Sequence, residues 1–200
     1  MTFKNFKVET DADGIALVTW DIPGKSMNVL DTQTIEELSA IVDQTTADAA
    51  VKGVVVTSGK EAFSAGADLS MLEGMNKLFA DTAKAKGKDA ATQMLFDESR
   101  KLSQTFRKLE TCGKPWVAAI NGLALGGAFE LTLACHYRVA SDNPKTRLGL
   151  PEVKVGLFPG GGGTQRLPRM MPAQAALPLL LKGDQLKLDK ANAANIVGAV

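Results

Sequence analysis

The stretch Asn121-Gly122-Leu123-Ala124-Leu125-Gly126-Gly127-Ala128-Phe129-Glu130 carries the end of a strand, a pair of glycines and an acid among apolar neighbours. Just upstream, Trp116 to Ile120 reads as a buried strand, and Asn121-Gly122 turns it. Gly126 to Cys135 then reads as a helix that is apolar almost all round. Glycines at a helix start leave backbone N–H groups unpaired and let a ligand approach closely. Glu130 lies between Phe129 and Leu131, where burial raises a carboxyl pKa toward a catalytically useful value. A structural reading fits equally well, in which Gly126-Gly127 allow close helix packing and Glu130 is a paired core acid. These residues alone leave both readings open.

Two further segments bear on the choice. Phe63-Ser64-Ala65-Gly66-Ala67-Asp68-Leu69 is a second loop leading into a helix. Two such starts, each aiming one N–H at a single carbonyl oxygen, are the parts of an oxyanion hole. Any tight turn before a helix would share this look, and Asp68 suits a helix cap better than a reactant. The third segment runs from Leu150-Pro151-Glu152 through Phe158-Pro159-Gly160-Gly161-Gly162-Gly163-Thr164-Gln165-Arg166-Leu167. Glu152 is an acid in an otherwise apolar run. The glycines could cradle a phosphate, but they lack the lysine and the Ser/Thr order of a nucleotide loop.

Around these segments strands and helices alternate, which argues for an α/β fold. Asp13-Gly14 joins two alternating runs as a hairpin. A helix capped by Asp31 follows, with Ile35, Leu38, Ile41 and Val42 on one face. Val54 to Thr57 reads as a buried strand broken by Gly59, and the stretch around Lys84, Lys86 and Lys88 reads as a solvated connection. A long helix is expected over 89–110, short strands over 137–140 and 147–150, a short helix from Thr164, and a helix from Ala173 kinked at Pro178.

At 200 residues the chain suits one domain, able to bury roughly 70% of its unfolded surface. Lys plus Arg total 23 against 22 Asp plus Glu, which gives no broad basic face for nucleic acid. Cys112 and Cys135 lack metal or redox spacing and read as buried inert thiols. No export signal or membrane-length apolar run is visible, so a cytoplasmic protein is expected. The lone His136 has no nucleophile partner in sequence and reads as a satisfied core or surface imidazole. With no histidine triad, chemistry must rest on carboxylates, backbone groups or an imported cofactor.

Taken in order and spacing, Ala65-Gly66-Ala67-Asp68, Asn121 to Glu130, and Pro151-Glu152 leading into Pro159 to Leu167 resemble the enoyl-CoA hydratase/isomerase (crotonase) family over nearly the whole chain. The run His136 to Ala140, then Asp142 to Glu152, is similar to the N-terminal hydratase part of multifunctional fatty-acid oxidation alpha subunits. The resemblance implies a spiral of ββα units. It implies that the amides of Ala67 and Gly127 hold a thioester oxygen. Glu130 and Glu152 would then share one water, which Gly160 helps to position. Lys25, Ser26 and Met27, with Ala65, Gly66, Asp68, Leu69 and Gly126, match regions that contact the substrate and its CoA moiety.

The activity implied is hydration of a trans-2-enoyl-CoA to a 3-hydroxyacyl-CoA in β-oxidation. The substrate itself carries the coenzyme A, and no metal or other cofactor is expected. The alternatives are a Δ3,Δ2-enoyl-CoA isomerase, or a non-catalytic acyl-CoA- or RNA-binding module on the same fold. Single-function relatives continue past the position of Val200 with helices that form a trimer, and multifunctional relatives continue into a dehydrogenase domain. Residues 1–200 are therefore expected to be a hydratase core truncated at its C-terminus, belonging to a homotrimer or a multifunctional complex.

Overall fold

In the computed structural model, which describes residues 2–200 apart from the side chains of Leu69 and Leu72, the chain is α/β and builds two sheets. Five strands lie in the order β1 (Phe6–Thr10), β2 (Ile15–Trp20), β3 (Gly53–Ser58), β4 (Trp116–Ile120), β6 (Tyr137–Ala140). Three shorter ones follow the order β5 (Leu123–Leu125), β7 (Arg147–Gly149), β8 (Gln185–Lys187). β1 and β2 pair antiparallel across Asp13-Gly14, where Asp11 accepts from the N–H groups of Asp13 and Ile15. Gly14 has φ +85°, and a Cβ there would lie 2.5 Å from Ala50 O, so no other residue fits.

From β2 onward the main sheet is parallel, with Leu17 beside Val55, Val56 beside Ala118, and Ala119 beside Val139. Parallel strands need long crossovers. The helix α1 (Thr32–Ala47) supplies one, started by Asp31, whose carboxylate accepts from Thr34 N at 2.8 Å. It buries Leu38, Ile41 and Val42 against the sheet. Trp20 anchors the core, stacked on Phe6 at 5.8 Å and edge-on to Phe63 at 6.1 Å.

The expected solvated connection around Lys84 to Lys88 is instead helical. α2 (Leu69–Lys86) and α3 (Lys88–Thr111) meet at Gly87, whose φ is +87°. Lys84 and Lys86 fall in the last turn of α2, where cations complement the helix dipole. The residues described in α2 are half-buried or exposed, so the apolar stripe that marks a helix in sequence is weak there. Gly126 stays outside α4 (Gly127–Ala134), and β5 occupies Leu123–Leu125, between the expected turn at Asn121-Gly122 and the glycine pair. The strand expected over 147–150 ends at Gly149.

Pro151–Val155 forms a 3-10 helix, followed by α5 (Gly163–Met170), α6 (Ala173–Leu181, containing Pro178) and α7 (Leu188–Ala193). Cys135 is buried, and burial pushes its thiol pKa up to about 12, whereas Cys112 is only half-buried. His136 is exposed, and its Nδ1 accepts from Trp116 N at 3.1 Å. Among the described residues no helix is long and apolar enough to cross a membrane.

Candidate active site

β5 brings the first two segments of interest together. Ser64 lies in parallel register beside Ala124: Ser64 N donates to Leu123 O at 3.0 Å, and Leu125 N donates to Ser64 O at 3.1 Å. One step further, Gly66 packs against the Gly126 backbone so closely that a Cβ on Gly66 would lie 2.8 Å from Leu125 O. Both glycines have positive φ, +99° and +56°. The two loops are thus laid side by side by strand hydrogen bonds, and each leads into a helix, α2 from Asp68 and α4 from Gly126.

The amides at these two helix starts are free. Leu30 N donates to Gly66 O and Asp68 N to Leu30 O, so that bridge straddles Ala67 without using its N–H. Gly127 is the first residue of α4, whose first intrahelical bond runs from Glu130 N to Gly126 O. Among the described residues neither N–H donates to a protein acceptor. Both residues line one cavity of about 250 Å³, and Glu130, Glu152 and Gly160 line it too. A larger and more open depression of about 580 Å³ between β7 and α7 is lined by Asp142, Arg147, Lys187 and Asp189. Among the described residues no buried side-chain group there lacks a partner, and it lies apart from these residues.

The two acids differ in their surroundings. Glu130 is 1% exposed, and its carboxylate accepts from Gly161 N at 2.9 Å and Gly163 N at 2.7 Å. The glycine run therefore turns two amides onto Glu130, not outward to a phosphate. Burial raises the Glu130 pKa, opposed by these amides and by the nearby Arg166 charge. Glu152 rides on the 3-10 helix with its carboxylate against Gly126, and its Oε2 is buried without a partner. Burial, reinforced by the Glu130 charge, lifts its pKa to about 7.

A pKa raised on folding favours the folded state while the group is protonated and stops doing so as pH rises. Glu152 thus contributes stability below pH 4.5 that is lost as pH climbs to about 7. The denaturation midpoint of the wild-type chain is expected to fall across that window relative to Glu152→Gln. A pH-independent difference between the two would show that Glu152 titrates as an ordinary carboxyl.

The other expected contact residues are arranged less directly. Asp68 caps α2 by accepting from Ser70 N at 2.9 Å and pairs with Lys25 Nζ at 3.0 Å. The Ser70 and Lys25 hydrogen bonds hold its pKa at about 2. Lys25, Ser26 and Met27 lie on the loop between β2 and α1, outside the cavity wall. Ala65, Gly66 and Gly126 support the amide loops, and Leu69 opens α2 with its side chain outside the described residues.

Sequence reasoning missed Asn28. This fully buried side chain donates to Trp20 O (2.8 Å) and Ser58 Oγ (2.9 Å) and accepts from Ile22 N (3.0 Å). Its carbonyl accepts from Ser64 Oγ at 2.9 Å, which ties the Ala67 loop to the sheet. A lone Asn between loop and helix carries no periodic signal. Met71 and Met75 of α2, which with Leu102 of α3 make the apolar wall, were also missed, because the helix expected after Asp68 carries no apolar stripe that gives its length.

Among known proteins, the chain is 44% identical over 199 residues to the fatty acid oxidation complex subunit alpha of Idiomarina loihiensis. It is 46% identical over 198 residues to that of Shewanella amazonensis. Both matches take in 98% of this chain but only 26% of the relative, so the chain spans about a quarter of their length. The crystal structure of an enoyl-CoA hydratase from Bacillus anthracis superposes with a TM-score of 0.83 at 31% identity, covering 98% of this chain and 69% of that one. Residues 10–200 match the family described as enoyl-CoA hydratase/isomerase. With that match spanning nearly all of its length and its crotonase-like fold shared with a solved hydratase, the chain belongs to the enoyl-CoA hydratase/isomerase family.

Proposed function

We propose that this chain hydrates a trans-2-enoyl-CoA thioester to a 3-hydroxyacyl-CoA. The observation that carries this reading is the convergence of two unused amides and two inequivalent carboxyls on one cavity. A conjugated thioester resists attack at C3 until its carbonyl oxygen can take negative charge. The Ala67 and Gly127 amides would accept that charge, each such donor being worth about 3 kcal/mol in comparable sites. Glu130, whose two amide donors favour the carboxylate, would take a proton from water as its oxygen bonds to C3. Glu152, poised near neutrality with its buried Oε2 unpaired, would give its proton to C2. The proton left on Glu130 then passes to Glu152, which resets the pair. The Gly160 amide would hold the water in line.

The addition is redox-neutral overall, so it needs no redox cofactor, and the two amides would supply the charge stabilisation that a metal ion can otherwise give. Isomerisation of a 3-enoyl-CoA would need only one shuttling acid, and two acids in contrasting environments favour hydration. The Lys25–Asp68 pair links the loop of Lys25, Ser26 and Met27 to the Ala67 amide, which supports placing the CoA moiety along that side. The relatives' names, fatty acid oxidation complex subunit alpha, support a role in fatty-acid oxidation within a larger complex. Mixing the protein with crotonyl-CoA is expected to remove the conjugated-enoyl absorbance. Absence of hydration both by this chain and by a version extended at the C-terminus would end the hydratase reading.

A further inference from the structure

Glu130 is oriented by a glycine loop, and glycine has no side chain with which to hold itself in place. What holds this loop is Arg166, on α5. Its Nη1 donates to Gly161 O at 2.9 Å, so Gly161 is gripped at its carbonyl by Arg166 while its N–H is given to Glu130. The guanidinium is itself fixed: Nε donates to Glu110 Oε1 at 3.1 Å and Nη2 to Glu110 Oε2 at 3.2 Å, a two-point fork onto α3. The Arg166 side chain is 12% exposed. A Cβ on Gly161 would fall 2.8 Å from both Glu130 Oε2 and Phe106 Cε2, so the loop has no slack on the cavity side. An exposed surface ion pair would show none of this linkage.

We propose that Arg166, held by Glu110, is a positioning residue that fixes the Gly160–Gly163 loop and, through its amides, the orientation of the Glu130 carboxylate. The inference rests on the hydration reading for its catalytic consequence, and on geometry alone for its effect on Glu130. Charged groups facing Glu130 are few. Arg166 comes from α5 with Glu110 of α3 behind it, and Glu152 comes from the 3-10 helix. Farther along the cavity wall stand Glu98 and Lys101 of α3, paired with each other, and Glu36 of α1. Arg166 is therefore the cation whose loss Glu130 should register.

The test compares Arg166→Gln, Arg166→Lys and Arg107→Gln in the chain as it stands. Arg107 also pairs with Glu110, at 2.7 Å, but makes no bond to the loop and so serves as a control. Two quantities are read: steady-state hydration of crotonyl-CoA, and the titration of the Glu130 carboxyl by carbon NMR, assigned with Glu130→Gln. Arg166→Gln should lower kcat by about 10²-fold, the usual cost of a small misplacement, with KM within about threefold. It should also raise the Glu130 midpoint by about one pH unit, since an opposed charge is removed.

Arg166→Lys keeps the charge but not the planar fork. It should leave the titration near wild type while turnover still falls, and it carries the test if Arg166→Gln does not fold. Arg107→Gln should change neither quantity. An unaltered Glu130 titration in Arg166→Gln, or full turnover in Arg166→Lys, overturns the proposal. A wild-type chain that hydrates nothing counts against the hydration reading alone, because the titration then still decides whether Arg166 acts on Glu130.

Discussion

Glu130→Gln and Glu152→Gln are each expected to cut turnover of crotonyl-CoA by about 10²–10⁴-fold while leaving acyl-CoA binding largely intact. The two variants should part company in stability. Glu130 accepts one amide on each oxygen, so a glutamine there must turn its NH2 group toward either the Gly161 or the Gly163 N–H. Two donors then face each other in a buried place, at a cost of about 1–3 kcal/mol. Glu152 Oε2 has no partner to lose, so Glu152→Gln should unfold at nearly the wild-type midpoint near pH 5. The double variant should lose much less activity than the two single losses multiplied together, because both acids serve one water. Near-wild-type turnover in either single variant would remove that residue from the mechanism.

Gly66→Ala is expected to lose about 10²–10³-fold in kcat, as when a single oxyanion donor is removed elsewhere. The added methyl meets Leu125 O at 2.8 Å, which is backbone and cannot swing away, and the residue must hold φ +99°. Relief requires the loop to lift from β5, and the Ala67 amide moves with it. Strain of this kind costs about 1–3 kcal/mol in stability as well. Gly74→Ala provides the contrast: it lies inside α2 with nothing within 4 Å of its Cβ position. There the substitution should stabilise the helix by up to about 1 kcal/mol and leave kcat unchanged. Equal activity in the two variants would mean that the Ala67 amide plays no part in the reaction.

The hairpin, α1 with its Asp31 cap, and the buried strands at Val54 and Trp116 were legible because each carries a strong local signal. Period-two or period-3.6 apolar spacing, Asp-Gly and a capping acid all act within a few residues. The start of α2 at Asp68 was legible but its length was not: its described residues are at best half-buried, and Met71 and Met75 face a cavity instead of the core. The short β5 and β8 were hidden for another reason, since each exists through its partners and not through its own three residues. At the site, Glu130 and Glu152 stood out as acids in apolar runs. The hydrogen bonds that set them apart, and the roles of Asn28 and Arg166, depend on partners far away in sequence. Arg166 lies 56 residues from Glu110, for example.

The bridge between Ser64 and Ala124 also bears on how the molecule assembles. It closes a loop containing α2, α3 and β4, and closing such a loop costs entropy before any contact repays it. Parallel pairing of distant strands is slow for the same reason. The β1–β2 hairpin and the helices can gather from neighbouring residues, whereas the Ala67 and Gly127 amides become neighbours only when this distant closure is made. An early folding intermediate would hold secondary structure and part of the sheet but no cavity to bind a thioester. In a refolding time course, acyl-CoA binding should therefore trail the recovery of helix signal, because the site depends on a long-range closure and not on any single segment.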